Sequence, residues 1–290
     1  MRYRIQAELR AELSKPVREH HVQLRLLPWT DEWQRPGGYI LEAEPFAHPV
    51  HHRDGFGNPV VCFALMGPHR SLSIRLRADV QTLLYNPFDY RPVPPRREME
   101  WIHQDLRQAP RLWDFVLCPS PRLEALLPYN AAQEAPRLLA DRSLVEQVQL
   151  AIEWVTSVAD NAGEVPEPAT ESPDYYDGST ARTRLLIALV RSWGVPARFA
   201  TGYLDPECIE LGPDGQVAGP HRQSMRSWAD VLIPGAGWRG FDPVSGFVVN
   251  DAYVRVAAGR DAEDVVFERA SFKGEGAVRQ TQFRIQVSPA

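Results

Sequence analysis

The chain has 290 residues, 44% hydrophobic and 24% charged, a composition that supports a buried core and lacks the apolar deficit of disorder. Its length favours two domains, or one domain with a sizeable annex. A formal charge of -5, with Lys15 and Lys273 the only lysines, leaves no basic footprint for nucleic acid, and no window approaches the roughly 18 apolar residues of a membrane helix.

From Tyr3 to about Leu84 the pattern is apolar and polar in alternation, the mark of strands with one buried face. The segments RYRIQAELR, VQLRLLP, YILEAEP, NPVVCFAL and SLSIRLRADV read as successive strands. Gly55, Gly57, Asn58 and Pro59 supply a turn, and the whole predicts an antiparallel β domain over 1–84. Within it His48, His51 and His52 form HPVHH, which has no Cys or acidic partner at metal-ligand spacing and reads as a solvated loop. His20, His21, His69 and His103 show no ligand spacing either.

Residues 85–136 are proline-rich, with RPVPPRR at 91–97, and read as a connector with short helices around Trp101 and Trp113. Ser143 and Glu146 form a capping box, and Val148, Ile152, Val155 and Val158 follow at helical spacing, which predicts a helix over 143–160. A polar loop from Asn161 to Gly178 leads to a second helix, with Ser179 or Thr180 as N-cap and Gly194 followed by Pro196 as its stop. The strands ARFATGYL, SWADVLIP, WRGFDP, YVRVAAG and QFRIQV come after it. Helices first and strands after make residues 137–290 an α+β domain.

Cys62, Cys118 and Cys208 lie far apart without C-x-x-C spacing, so the pattern offers neither a disulfide framework nor a zinc site. The N-terminus lacks the apolar run of a signal peptide, and a reducing cytoplasm is the expected compartment. No cofactor is expected.

Four stretches carry a resemblance. The segment from Arg226 to Pro243 reads RSWADVLIPGAGWRGFDP, and the helix region runs DGSTARTRLLIALVRSWGVPARFATGY. YVRVAAGRD stands at 253–261 and DGFGNPV at 54–60. Taken in chain order they resemble the bacterial transglutaminase-like superfamily, in which a β-rich N-terminal domain precedes a papain-like core of helices on an antiparallel sheet. The resemblance implies amide chemistry through a thioester, with a Cys at a helix N-terminus facing a His and an Asp on neighbouring strands. Helix N-terminus and imidazolium both favour the thiolate.

Departures fall where that chemistry would occur. The alignment puts Ser179 at the Cys position and Arg226 at the His position, while Asp242 matches the Asp. A serine nucleophile needs a general base, and a guanidinium has no acceptor with which to remove its proton. The relocated pair Cys208 and His221 is disfavoured: Asp205, Glu207 and Glu210 surround the Cys, and His221 lies roughly 17 Å along an extended strand from Arg226. Arg226 and Asp242 are expected to form a charge-assisted pair, with Arg182 solvated. A sharper alternative makes Arg226, Arg182 and the helix N-terminus an anion site. Tyr203, Trp228 and Trp238 are expected to pack beneath the cleft, with cleft-lining as the second reading, and Arg260 and Asp261 to form a turn. The residues thus lead to an inactive relative that binds a peptide or protein partner. The alternative is an amide hydrolase or acyltransferase working through Ser179 or Cys208.

Overall fold

The structure, a computed structural model, describes residues 1–117, 133–161, 179–205, 207, 225–275 and 277–290. Its first element, β1 (Arg2–Leu24), is one strand where the sequence predicted two. Tyr3, Ile5, Ala7, Leu9, Ala11 and Leu13 point inward in strict alternation. Pro16 cannot donate to a ladder, and register shifts fall between Glu12 and Val17 and between Arg18 and His21. Glu19, at φ 49°, takes the left-handed conformation there. The sequence signal for a break was therefore real, but it marks a bend through which the strand continues.

That bend lets β1 serve two sheet halves. Its first half pairs antiparallel with β5 (His69–Thr82), and β5 with β2 (Gln34–Glu44). Its second half pairs with β4 (Pro59–Leu65), and β4 with β3 (Val50–Arg53). His51 and His52 lie on this short strand β3, not in a loop, because their backbone pairs with Val61 and Val60. Both are exposed, as is His48. Leu9, Leu24, Phe63, Ile74 and Phe267 meet in the core between the two halves.

The connector contributes α1 (Pro95–Gln108), which buries Ile102 and Leu106, then a 3-10 turn and α2 (Asp114–Leu117). Glu98 on α1 accepts a 2.7 Å hydrogen bond from the Leu144 N–H at the start of α3 (Leu144–Asn161). The predicted capping box is present: the Ser143 N–H donates to Glu146 at 3.0 Å and the Glu146 N–H to Ser143 Oγ at 3.4 Å. Gly194, at φ 78°, ends the chain's central helix α4 (Ser179–Ser192) just beyond its last residue.

Helix α4 is buried nearly all round from Thr183 to Arg191, as befits a helix enclosed by its domain. Its two buried cations are matched: Arg184 meets Asp261 at 2.7 Å, and Arg191 donates to the carbonyls of Ala197 and Arg260. Against it packs a four-stranded antiparallel sheet in the order β8 (Gly237–Phe241), β7 (Arg226–Ile233), β6 (Ala197–Leu204), β9 (Tyr253–Gly259).

After β9 the chain leaves this sheet. Strands β10 (Glu268–Lys273) and β11 (Arg279–Pro289) both pair with β1, β11 from Tyr3 through Leu13. The division 1–84, 85–136 and 137–290 follows chain order, whereas the sheets place residues 268–289 with the N-terminal strands. Tyr3, Ile5, Val80, Ile285 and Val287 share one apolar cluster with α3, α4 and the second sheet.

Two side-chain amides fasten these parts together. Gln34 exchanges hydrogen bonds with Arg255, its Nε2 donating to the carbonyl and its Oε1 accepting from the N–H, each at 2.8 Å. Asn58 does the same with Ala258, at 2.9 and 2.8 Å. Each amide thus imitates a neighbouring strand on the outer edge of β9, where backbone groups would otherwise lie buried and unpaired.

Candidate functional site

The start of α4, the start of β7 and the residue after β8 converge. Register pairs Gly202 with Arg226, and a Cβ at Gly202 would lie 1.9 Å from the Val254 carbonyl oxygen, so only glycine fits where β6 bends toward β9. Thr201 Oγ1 donates to the Arg226 carbonyl at 3.0 Å and fixes its backbone.

Arg226 and Asp242 form the expected pair, Nε to Oδ2 at 2.8 Å, with 2% and 0% of the two residues exposed. Asp242 is saturated with donors: Tyr253 OH reaches the same Oδ2 at 2.8 Å, and the N–H groups of Val244 and Ser245 reach Oδ1 at 2.9 and 3.3 Å. Burial, and then the Asp242 charge, pushes the Tyr253 phenol well above its ordinary pKa, so it serves as a neutral donor.

Ser179 is the first residue within α4, and its Oγ accepts the Ser227 N–H at 2.9 Å. This bond crosses to β7, so the hydroxyl has a tertiary partner in addition to any local capping role predicted for it. Ser179 is 0% exposed. Arg182 is half-buried rather than simply solvated. Position 178, and with it Cys118, Cys208 and His221, lies outside the described residues.

A second charged cluster adjoins the first and was not singled out from sequence. Asp230, fully buried, accepts from Trp228 Nε1 at 3.0 Å, from Arg255 at 2.9 Å and from Arg198 at 3.0 Å. Burial alone would raise its carboxyl pKa, but the guanidinium charges of Arg255 and Arg198 outweigh that and hold it below the ordinary value. Arg255 also reaches Asp31 at 2.7 Å, which ties the cluster to the N-terminal region. The Arg198 guanidinium lies 4.4 Å from the ring centre of Trp238, which also meets Phe115 edge to face. Trp228 contacts Tyr253 edge to face at 5.5 Å and so joins the two clusters. The sequence signal for Asp230 was its place in RSWADV; its two arginine partners lie on other strands and leave no local pattern.

Tyr203 is fully buried, donating from its hydroxyl to the Leu26 carbonyl at 2.7 Å, and Trp228 is equally buried. Both therefore pack beneath the site, and Trp238 is half-buried at its side. Arg260 and Asp261 stabilise the turn after β9, Arg260 through Asp264 and Asp261 through Arg184. Among the described residues no three His, Cys, Asp or Glu side chains form a group able to hold a metal ion, and no described helix is long and apolar enough to cross a membrane.

A helix N-terminus facing two strand positions over an antiparallel sheet defines the cysteine-protease-like class of fold. A crystal structure of a proposed cysteine protease from Cytophaga hutchinsonii superposes with a TM-score of 0.67 over 99% of this chain and 90% of that one, at 18% identity. Residues 138–243 match the family model for the transglutaminase-like superfamily, and residues 3–81 that for the bacterial transglutaminase-like N-terminal region. The chain belongs to the transglutaminase-like superfamily. An uncharacterised Mycobacterium leprae protein is 24% identical over 90% of this chain and 90% of its own length. One from Mycobacterium tuberculosis is 28% identical over 91% and 85%.

Proposed function

We propose that this protein is a catalytically inactive transglutaminase-like protein that keeps its fold as a peptide- or protein-binding module. The observation that carries the reading is the buried Arg226–Asp242 pair at the positions aligned with base and orienting acid. A guanidinium cannot take a proton, and Asp242 has its oxygens engaged by Arg226, Tyr253 and two backbone N–H groups. Neither Arg226 nor Asp242 is thus able to act as a base toward Ser179, whose Oγ already accepts the Ser227 N–H. The same pairing leaves no net cation at Arg226 to hold an anion. Cys62 as a free thiol fits a reducing compartment.

The test is covalent trapping. The purified protein is incubated with an activated acyl ester and with a fluorophosphonate, and intact mass and peptide mapping are read over time. No adduct is expected on Ser179 or Cys208. An acyl group that appears on either residue and is then released would establish the rival reading of a hydrolase or acyltransferase.

A further inference from the structure

The outer face of the half-sheet formed by β3, β4, the end of β1 and β10 carries a groove that the transglutaminase-like core does not use. Register aligns Val50, Cys62, Gln23 and Arg269 in one cross-strand row, and Ala64, His21 and Ser271 in the next. Small side chains at Ala64, Cys62 and Ser271 leave the floor low. The segment with Phe46 and the turn with Met66 raise its walls, enclosing about 1010 Å³. Four strands at about 4.8 Å spacing make the floor roughly 14 Å wide.

This surface is apolar and open. Phe46, Val50 and Met66, at 77%, 62% and 63% exposed, are among the most exposed large apolar side chains described, and all three line the groove. Such a concentration marks an interaction site more often than chance exposure. Its charge is one-sided as well. Among the described residues no Asp or Glu lines it, although acidic residues outnumber basic ones by 37 to 32 in the chain. Arg269, at one end of the row, donates to the Glu263 carbonyl and has no described carboxylate partner. Gln23, His21 and Ser271 run along the floor as hydrogen-bonding groups, spaced for an extended chain.

We propose that this groove docks an extended peptide with alternating apolar and acidic side chains, the apolar ones seated between Phe46 and Met66 and a carboxylate against Arg269. Charge complementarity selects the acidic partner, and the open trough with polar groups along its floor suits a peptide rather than an enclosed small molecule. The groove lies in the β-rich part of the molecule, and a peptide could dock there whether or not the core turns over an amide.

The experiment is fluorescence anisotropy with a labelled Glu-Leu-Glu-Phe-Glu-Leu-Glu peptide and its Lys-Leu-Lys-Phe-Lys-Leu-Lys counterpart. Saturable binding of the acidic peptide is expected. Arg269→Glu should weaken it about tenfold or more and improve the basic one, and Ala64→Trp should weaken both by filling the floor. Arg75→Glu, on the outer face of the other half-sheet, should leave affinity within about twofold, and thermal melts confirm that each variant folds. No saturation by about 1 mM peptide, equal binding of the basic peptide, or unchanged binding by both groove variants overturns the proposal. So does a dimer in sedimentation that Arg269→Glu dissolves, since a second copy would then occupy the groove.

Discussion

Asp242 holds its charge in the interior by facing one guanidinium, one phenol and two backbone N–H groups. Removing a single partner from such a pair leaves the other charged and buried, which costs about 3–5 kcal/mol. Arg226→Met and Asp242→Ala are each expected to lose that much in urea unfolding, and the double variant to lose much less than the sum. Additive losses would mean that the two side chains do not form one unit. His20 makes a second residue-scale prediction. Its Nδ1 lies 3.0 Å from His69 Nε2, and His69 Nδ1 lies 2.9 Å from the Gly67 carbonyl, so a proton on each Nδ1 satisfies both bonds with neutral rings. Burial first, then Arg279, His69 and His21, lowers the His20 pKa from 6.5 to about 4. The unfolded chain therefore binds a proton that the folded one refuses, and stability present above pH 6.5 falls as pH drops toward 4, by about 3 kcal/mol in all. Unfolding followed across that range should show the loss, and His20→Gln should flatten it; an unchanged slope would remove His20 as the cause. The residues of the triad positions were legible because they stand in fixed motifs. His20, Asp230 and Tyr253 were not recognised for their roles, since each is defined by partners brought from distant strands.

At the scale of elements, the edge of β9 depends on side chains from another part of the chain. Asn58→Ala strands the buried N–H and carbonyl of Ala258, an expected cost of about 1–3 kcal/mol by thermal or urea unfolding. Hydrogen exchange at the Ala258 amide should accelerate in that variant, and unchanged protection would show that β9 has another cover. Gly202→Ala should be worse, because its Cβ would meet backbone and not a movable side chain. Helix α3 was legible to its cap, since Ser143, Glu146 and the 3.6-residue spacing are all local. β1 was misread as two strands for a physical reason. Pro16 marks a break in hydrogen bonding, and only the partners on either side determine whether the strand ends or bends there.

At the scale of the molecule, the last 22 residues before Ala290 do not belong with the sheet they follow. β11 covers β1 from Tyr3 to Leu13, and β10 covers its second half, so the two ends of the chain complete one another. Truncation after Phe267 should therefore expose β1 and abolish cooperative unfolding of the N-terminal strands as well as of the core, as circular dichroism would record. An independently folding remainder would contradict the shared apolar cluster. Alternation in QFRIQV announced a strand but named no partner, which is why chain order assigned it to the core. The proposed inactivity rests on Ser179 and Arg226 standing at the positions aligned with nucleophile and base, with Arg226 held in a buried pair with Asp242. Its most direct test is ammonia release from glutamine-containing peptides and peptide amides by the wild-type protein, with Ser179→Ala as the comparison. No release above buffer is expected for either protein. Release by the wild type that Ser179→Ala abolishes would contradict it.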